Sequence, residues 1–239
     1  MMAHSHPDIQ AVSEDAVLLC FGTSIDPDLT PVITLWCDAI RARLDDILTD
    51  LVPSYASIVV YYEPSLADFR GVISRLRSIA GNLPEPDNRP AGHQIELPVW
   101  YHPSVGPDLK ALARACELTV DEVIEKHTTT AYQVYALGFS PGFGFMGQVH
   151  PAIARPRLER PRVMVPGGSV GIANRQTAVY PAPSPGGWQL IGRCPAQLFS
   201  EEDLAVLSVG DTVRFRAVDH DTFLSLGGDD TPFTEGAPS

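Results

Sequence analysis

The chain has 239 residues, 44% of them hydrophobic and 19% charged, which suits a soluble globular protein of one large or two ordinary domains. Its net charge of −12 argues against duplex nucleic acid or an anionic membrane as main partner, because both repel an acidic surface. No apolar run approaches the length of a membrane span, no secretion-signal pattern opens the chain, and Cys20, Cys37, Cys116 and Cys194 lack paired spacing, so we expect a cytoplasmic protein with reduced thiols.

His4 and His6 lie in a terminus expected to fray, and no metal site is expected there. Asp15 to Gly22 (DAVLLCFG) reads as a buried strand. Leu29 to Leu51 reads as a helix, with Ile33, Trp36, Cys37, Ile40, Leu44, Ile47, Leu48 and Leu51 recurring at steps of three and four, and Pro53 ending it. Ser57 to Tyr62 (SIVVYY) has strand composition. A second helix is expected from Pro64 and Ser65 to Gly81, its apolar positions Leu66, Phe69, Val72, Ile73, Leu76 and Ile79. This order predicts a small α+β layer over 12–83. Leu83 to His93 is rich in proline and polar residues, and 84–93 is the expected linker.

A second domain is expected over 94–218. Ile95 to Tyr101 reads as a strand, with Pro98 at an edge or an end. Pro107 to Val134 reads as two helices, Pro107 in the first turn of one and Thr119 with Glu122 as capping box of the other. The second stripe is Val120, Val123, Ile124, His127, Ala131 and Val134. Its surface carries Asp121, Glu122 and Glu125 against one Lys126, the wrong sign for a helix that reads DNA.

Gly138 to Arg193 organises the rest. Ten of the 19 glycines (138, 142, 144, 147, 167, 168, 171, 186, 187, 192) and eight of the 22 prolines (141, 151, 156, 161, 166, 181, 183, 185) fall in it, so no long helix survives. Apolar residues between these breakers predict short strands joined by tight loops, a common setting for a site. Leu204 to Arg216 reads as an approach, a turn at Gly210-Asp211 and a strand through Val213, Phe215 and Ala217. Residues 219–239 are expected to form a loose tail.

Four groups of residues can carry chemistry. His127 is either a core histidine or a general acid or base. Arg155, Arg157, Arg160 and Arg162, stiffened by Pro156 and Pro161, suit a carboxylate or phosphate; the alternative is ion pairing with acids such as Glu159. Gly167-Gly168 and Gly186-Gly187, beside Ser169 and Ser184, let backbone N–H groups approach an anion or simply make tight turns. Phe139, Phe143, Phe145, Tyr180 and Trp188 are core packing or a groove wall. No P-loop and no GxSxG elbow is present.

Several ordered motifs resemble the family known as KipI-like, allophanate hydrolase subunit 1 or 5-oxoprolinase B-subunit proteins, the carboxyltransferase subdomain C and D type. They are GF-x-PGF (Gly138 to Phe143), PR-x-x-x-PR-x-x-VP (Pro156 to Pro166), GSVGI (Gly168 to Ile172), QT-x-x-YP (Gln176 to Pro181) and SPGGWQLIGR (Ser184 to Arg193). The resemblance implies a ferredoxin-like α+β domain followed by a cyclophilin-like β-barrel with flanking helices. It also implies a non-autonomous enzyme component. Together with a carboxyltransferase-like C subunit and a third 5-oxoprolinase component, it would open 5-oxoproline to L-glutamate at the expense of ATP, with magnesium. A lactam carbonyl is a poor electrophile, and phosphate transfer to its oxygen makes attack by water feasible.

The residues expected to act are His127, Arg157 and Arg162 in catalysis, with substrate or partner binding by Phe139, Pro141, Gly142, Phe143, Pro166, Gly168, Ser169, Tyr180, Ser184, Gly186, Gly187 and Trp188. Two alternatives share this fold: an inhibitor of a sensor histidine kinase, as in the KipI branch, and an allophanate hydrolase or urea carboxylase-type component. The chain departs from the family pattern at Gly167, at Ala173-Asn174 where Asn can still hold a left-handed turn, and at Phe145-Met146, where a more usual tyrosine hydroxyl is missing.

Overall fold

Short apolar runs separated by turn residues build the first sheet in the computed structural model, which describes residues 7–23, 26, 28–83, 92–202 and 204–234. The expected fraying at His4 and His6, and nearly all of the expected linker, lie outside these residues. The chain divides into two compact units, Met1–Ala91 and Gly92–Ser239.

In the first unit, β1 (Asp8–Ala11), β2 (Ala16–Cys20), α1 (Leu29–Arg43), β3 (Leu48–Pro53), β4 (Ser57–Tyr62) and α2 (Phe69–Ala80) follow in order. The strands form an antiparallel sheet in the order β1-β2-β4-β3. Ile58, Val60 and Tyr62, alternate residues of β4, enter a core shared with Ile33, Trp36 and Ile40 of α1 and Val72, Leu76 and Ile79 of α2.

Two boundaries differ from the sequence reading. The helix expected to run to Leu51 ends at Arg43, because Ile47 and Leu48 both donate to the Leu44 carbonyl (2.9 and 2.7 Å) in a turn made at Asp45-Asp46. Leu48–Pro53 then pairs with β4. The second helix starts at Phe69, where the Asp68 carboxylate accepts from Gly71 N–H at 2.8 Å, leaving Leu66 exposed.

The second unit opens with β5 (Gln94–Val99), α3 (Leu109–Ala115) and α4 (Val120–Thr128). The Thr119–Glu122 capping box is formed in both directions. The helix expected to reach Val134 stops at Thr128. There the hydroxyls of Thr128, Thr129 and Thr130 donate to the carbonyls of Ile124, Glu125 and Lys126 at 2.9, 2.7 and 2.8 Å, and satisfy the last turn. Ala131 and Val134 instead belong to strand β6 (Ala131–Leu137).

The glycine- and proline-rich stretch is a series of short strands: β7 (Gly144–Gly147), β8 (Arg162–Val165), β9 (Ser169–Ala173), β10 (Gln176–Val179), β11 (Ser184–Gly186) and β12 (Gln189–Arg193). β13 (Phe199–Ser200), β14 (Leu204–Ala205), β15 (Thr212–Ala217) and α5 (His220–Ser225) complete the unit. Seven strands run in the order β12-β9-β10-β7-β6-β15-β5, antiparallel except for the β15–β5 pair. Beyond β5, Trp100 and Arg193 exchange backbone hydrogen bonds of 2.9 and 3.0 Å, so the two edges meet in a nearly closed, barrel-like sheet. β8 and β11 form a separate ribbon. Asn174 sits at φ +53°, so the tight β9–β10 turn keeps its left-handed residue without glycine.

The segment from Asp219 to Thr234 is no loose tail. The Asp219 carboxylate caps α5 by accepting from Thr222 N–H at 2.8 Å, and Phe223 is fully buried. Arg193 Nη1 donates to the carbonyls of Asp229 (2.7 Å) and Thr231 (2.9 Å), and Phe233 N–H donates to Ser104 O at 2.6 Å. Its polar composition conceals two aromatic anchors, Phe223 and Phe233, and carbonyls that accept from one nitrogen of the buried Arg193 guanidinium. Among the described residues no helix is long and apolar enough to cross a membrane.

Candidate functional site

The loop from Gly138 to Phe143 is pinned at both ends, Gly138 N–H to Phe143 O at 3.1 Å and Phe143 N–H to Ser140 O at 3.0 Å. It turns through left-handed residues, Phe139 at φ +69° and Gly142 at φ +80°. At Gly142 a Cβ would fall 2.8 Å from Leu198 O, so only glycine fits. The outcome is that Phe143 is buried while Phe139 stands 62% exposed, with Pro141 exposed beside it.

Around Phe143 gather Phe145, Tyr180 and Trp188, at ring-centroid distances of 4.8, 5.3 and 5.7 Å and steeply inclined angles. Edge-to-face packing of this kind adds about 0.5–1.5 kcal/mol per pair beyond burial. Gly186 lets the Tyr180 ring lie against the backbone, since a Cβ there would sit 2.3 Å from the tyrosine hydroxyl. These aromatics, with Phe139, Pro185, Gly186, Gly187 and Arg157, line a cavity of about 200 Å³. Burial raises the Tyr180 hydroxyl above its ordinary pKa, against a Trp188 backbone hydrogen bond and the charges of Arg157 and Arg162.

The arginines part company. The Arg162 side chain is 7% exposed and makes a forked pair with Asp108, Nη2 to Oδ1 at 2.8 Å and to Oδ2 at 2.9 Å; its Nη1 donates to Trp188 O. Asp108 Oδ2 also accepts from Leu190 N–H at 2.6 Å. Arg162 is therefore a strut between α3 and the ribbon, and the expectation of a free catalytic guanidinium is corrected. Arg155 donates to Cys116 Sγ at 3.3 Å. Arg157 is the member that faces the cavity, its Cζ 5.8 Å from the centre of the Trp188 ring. Among the described residues it has no ion pair with Glu159, and Arg160 is exposed outside the lining.

His127 is likewise corrected. It is 0% exposed and stacks on Phe215 at 4.5 Å. The Thr177 hydroxyl donates to Gly171 O at 3.0 Å, so it accepts from His127 Nε2–H at 2.9 Å, and Nδ1 accepts from the Tyr101 hydroxyl at 2.7 Å. Burial lowers its pKa to about 3, so the ring is neutral and sealed from any substrate.

Gly168 is also structural: its N–H donates to Tyr180 O at 2.7 Å, and a Cβ would meet Cys194 O at 2.4 Å. Pro166 accepts from Ser169 N–H in the same turn, and Ser169 is fully buried opposite Arg193. Ser184, on β11, pairs with Val165 and lies outside the lining. Sequence reasoning passed over Asp108 and Arg193. Asp108 looks like an ordinary helix start, and its partner is 54 positions away. Among the described residues no group of three His, Cys, Asp or Glu side chains could hold a metal ion, and none of the four cysteines forms a disulfide.

Comparison with known proteins matches this architecture. Residues 7–207 fit the family described as carboxyltransferase domain, subdomain C and D. The B subunit of 5-oxoprolinase from Bacillus subtilis is 36% identical over 223 residues, covering 87% of this chain and 91% of that protein. The solved structure of TTHA0988 superposes with a TM-score of 0.76 at 32% identity, covering 85% of this chain but 40% of that one. The urea amidolyase of K. lactis, at 14% identity, shares the fold with a TM-score of 0.77 over 95% of this chain and 16% of its own. On the match over residues 7–207 and the 36% identity to a near full-length relative, the chain belongs to the carboxyltransferase subdomain C and D family.

Proposed function

We propose that the chain is the B subunit of an ATP-dependent 5-oxoprolinase, which opens 5-oxoproline to L-glutamate together with partner subunits in the cytoplasm. The observation that carries this reading is the near full-length likeness to the 5-oxoprolinase B subunit of Bacillus subtilis. The partners are a carboxyltransferase-like C subunit and a third component. That the chain corresponds to 40% of TTHA0988 supports a role completed by further polypeptide. The same reading makes the first unit ferredoxin-like, with β1 as its fourth strand, and the second unit a cyclophilin-like barrel.

ATP and its magnesium are assigned to the partners. Gly168 N–H is already bonded to Tyr180, and the space beside Gly186 is filled by the Tyr180 ring, so neither glycine turn is an open phosphate cradle. The test is co-expression: the chain alone should release no glutamate from 5-oxoproline, and the full set with ATP should. No glutamate from the full set refutes the reading. Phe139, held out to solvent on a constrained loop, favours one second reading, a docking module that inhibits a histidine kinase. A kinase co-purifying in place of carboxyltransferase-like proteins would decide for it.

A further inference from the structure

A cationic side chain beside an aromatic wall selects its ligand by charge and shape. The cavity's volume of about 200 Å³ is below the roughly 300–1,000 Å³ of sites for drug-sized ligands, so its occupant is one small ring or less. Among the described residues its lining holds a single cation, Arg157, and no carboxylate. Arg162, which could have added a second charge, is neutralised by Asp108. Arg157 is exposed and, among the described residues, makes no ion pair, although the chain as a whole carries 29 acidic residues against 17 basic. Its guanidinium is instead poised at the Trp188 ring, a placement that costs little to redirect toward an incoming anion. The Trp188 and Phe145 rings, 6.1 Å apart, offer apolar faces and edges to a flat body.

We propose that this cavity binds a free small monocarboxylate with a flat, uncharged ring, the carboxylate on Arg157 and the ring against Trp188. The identification of that ligand as 5-oxoproline rests on the 5-oxoprolinase reading; the charge and shape of the site do not. In that case this chain holds the lactam by its carboxylate, and the carbonyl to be activated is left for partner groups to reach. Arg157 is a binding residue here, not a proton carrier.

Ligand-observed NMR tests this with the full chain, alone and co-purified with its partners, without ATP. The probes are 5-oxoproline, 2-pyrrolidinone (the same ring without the carboxylate) and inorganic phosphate. 5-Oxoproline should bind saturably in at least one preparation, and the other two probes about tenfold more weakly or worse, the worth of a charge-assisted forked contact. Arg157→Ala should lose a similar factor, while Arg160→Ala, which removes the same charge from outside the lining, should not. Equal binding of 2-pyrrolidinone or of phosphate, equal loss in both arginine variants, or no saturable binding in either preparation would overturn the proposal. If the assembled enzyme releases glutamate with an unchanged KM in Arg157→Ala, the pocket assignment fails and the 5-oxoprolinase reading stands. If no glutamate forms but Arg157-dependent carboxylate binding persists, the 5-oxoprolinase reading fails and the pocket stands.

Discussion

His127 ties the stability of the second unit to pH. Its folded pKa of about 3 lies below the unfolded value near 6.5, so the fold binds fewer protons than the unfolded chain. That contribution is complete above about pH 6.5 and is lost as the pH falls toward 3. Between pH 6.5 and 5.5 the loss should be about 1 kcal/mol in urea unfolding. His127→Gln, which cannot titrate, should lack this slope; an identical slope in both proteins would contradict the assignment. The two arginines should separate equally cleanly. Arg162→Ala strands the Asp108 carboxylate in a nearly buried site and should cost about 3–5 kcal/mol, read as a lowered unfolding midpoint. Arg157→Ala touches an exposed side chain and should change stability by less than about 0.5 kcal/mol. Equal destabilisation in both would mean that Arg157 is a strut as well.

Element boundaries show where a local pattern stops being informative. The strand at Ser57–Tyr62 and the capping box at Thr119 follow from the order of their own residues, and the structure has both. Leu48 and Leu51 continue the helical phase of α1 by coincidence, and Ala131 and Val134 that of α4. In each case a turn intervenes whose strength lies in hydrogen bonds that periodicity does not register. The aromatic cavity was legible as a set of motifs, but not the division of labour among its arginines. That division depends on Asp108, which arrives from another element. The C-terminal segment reads as a loose tail because its anchors, Phe223 and the carbonyls that meet Arg193, are few. Phe223→Ala should therefore cost about 3–5 kcal/mol by leaving a core void, where a loose tail would show no change. Thr119→Ala should cost about 1 kcal/mol through the lost cap.

Each unit of the molecule has a core of its own, one around Trp36 and Ile58, the other around Tyr132 and Phe215. A fragment of residues 1–91 should therefore unfold cooperatively by itself, followed by circular dichroism in urea; a featureless melt would undo this division. The parallel β5–β15 pair carries a different consequence. The His93–Asp211 bond at its mouth spans 118 positions, and among the described residues no nearer strand pairs with that side of β5 in the barrel. On a ribosome adding about 5–20 residues per second, the nascent edge waits on the order of ten seconds for its mate. During that interval Leu97 and Val99, buried in the finished sheet, are open to any passing chain, which makes this protein a natural client for co-translational chaperones.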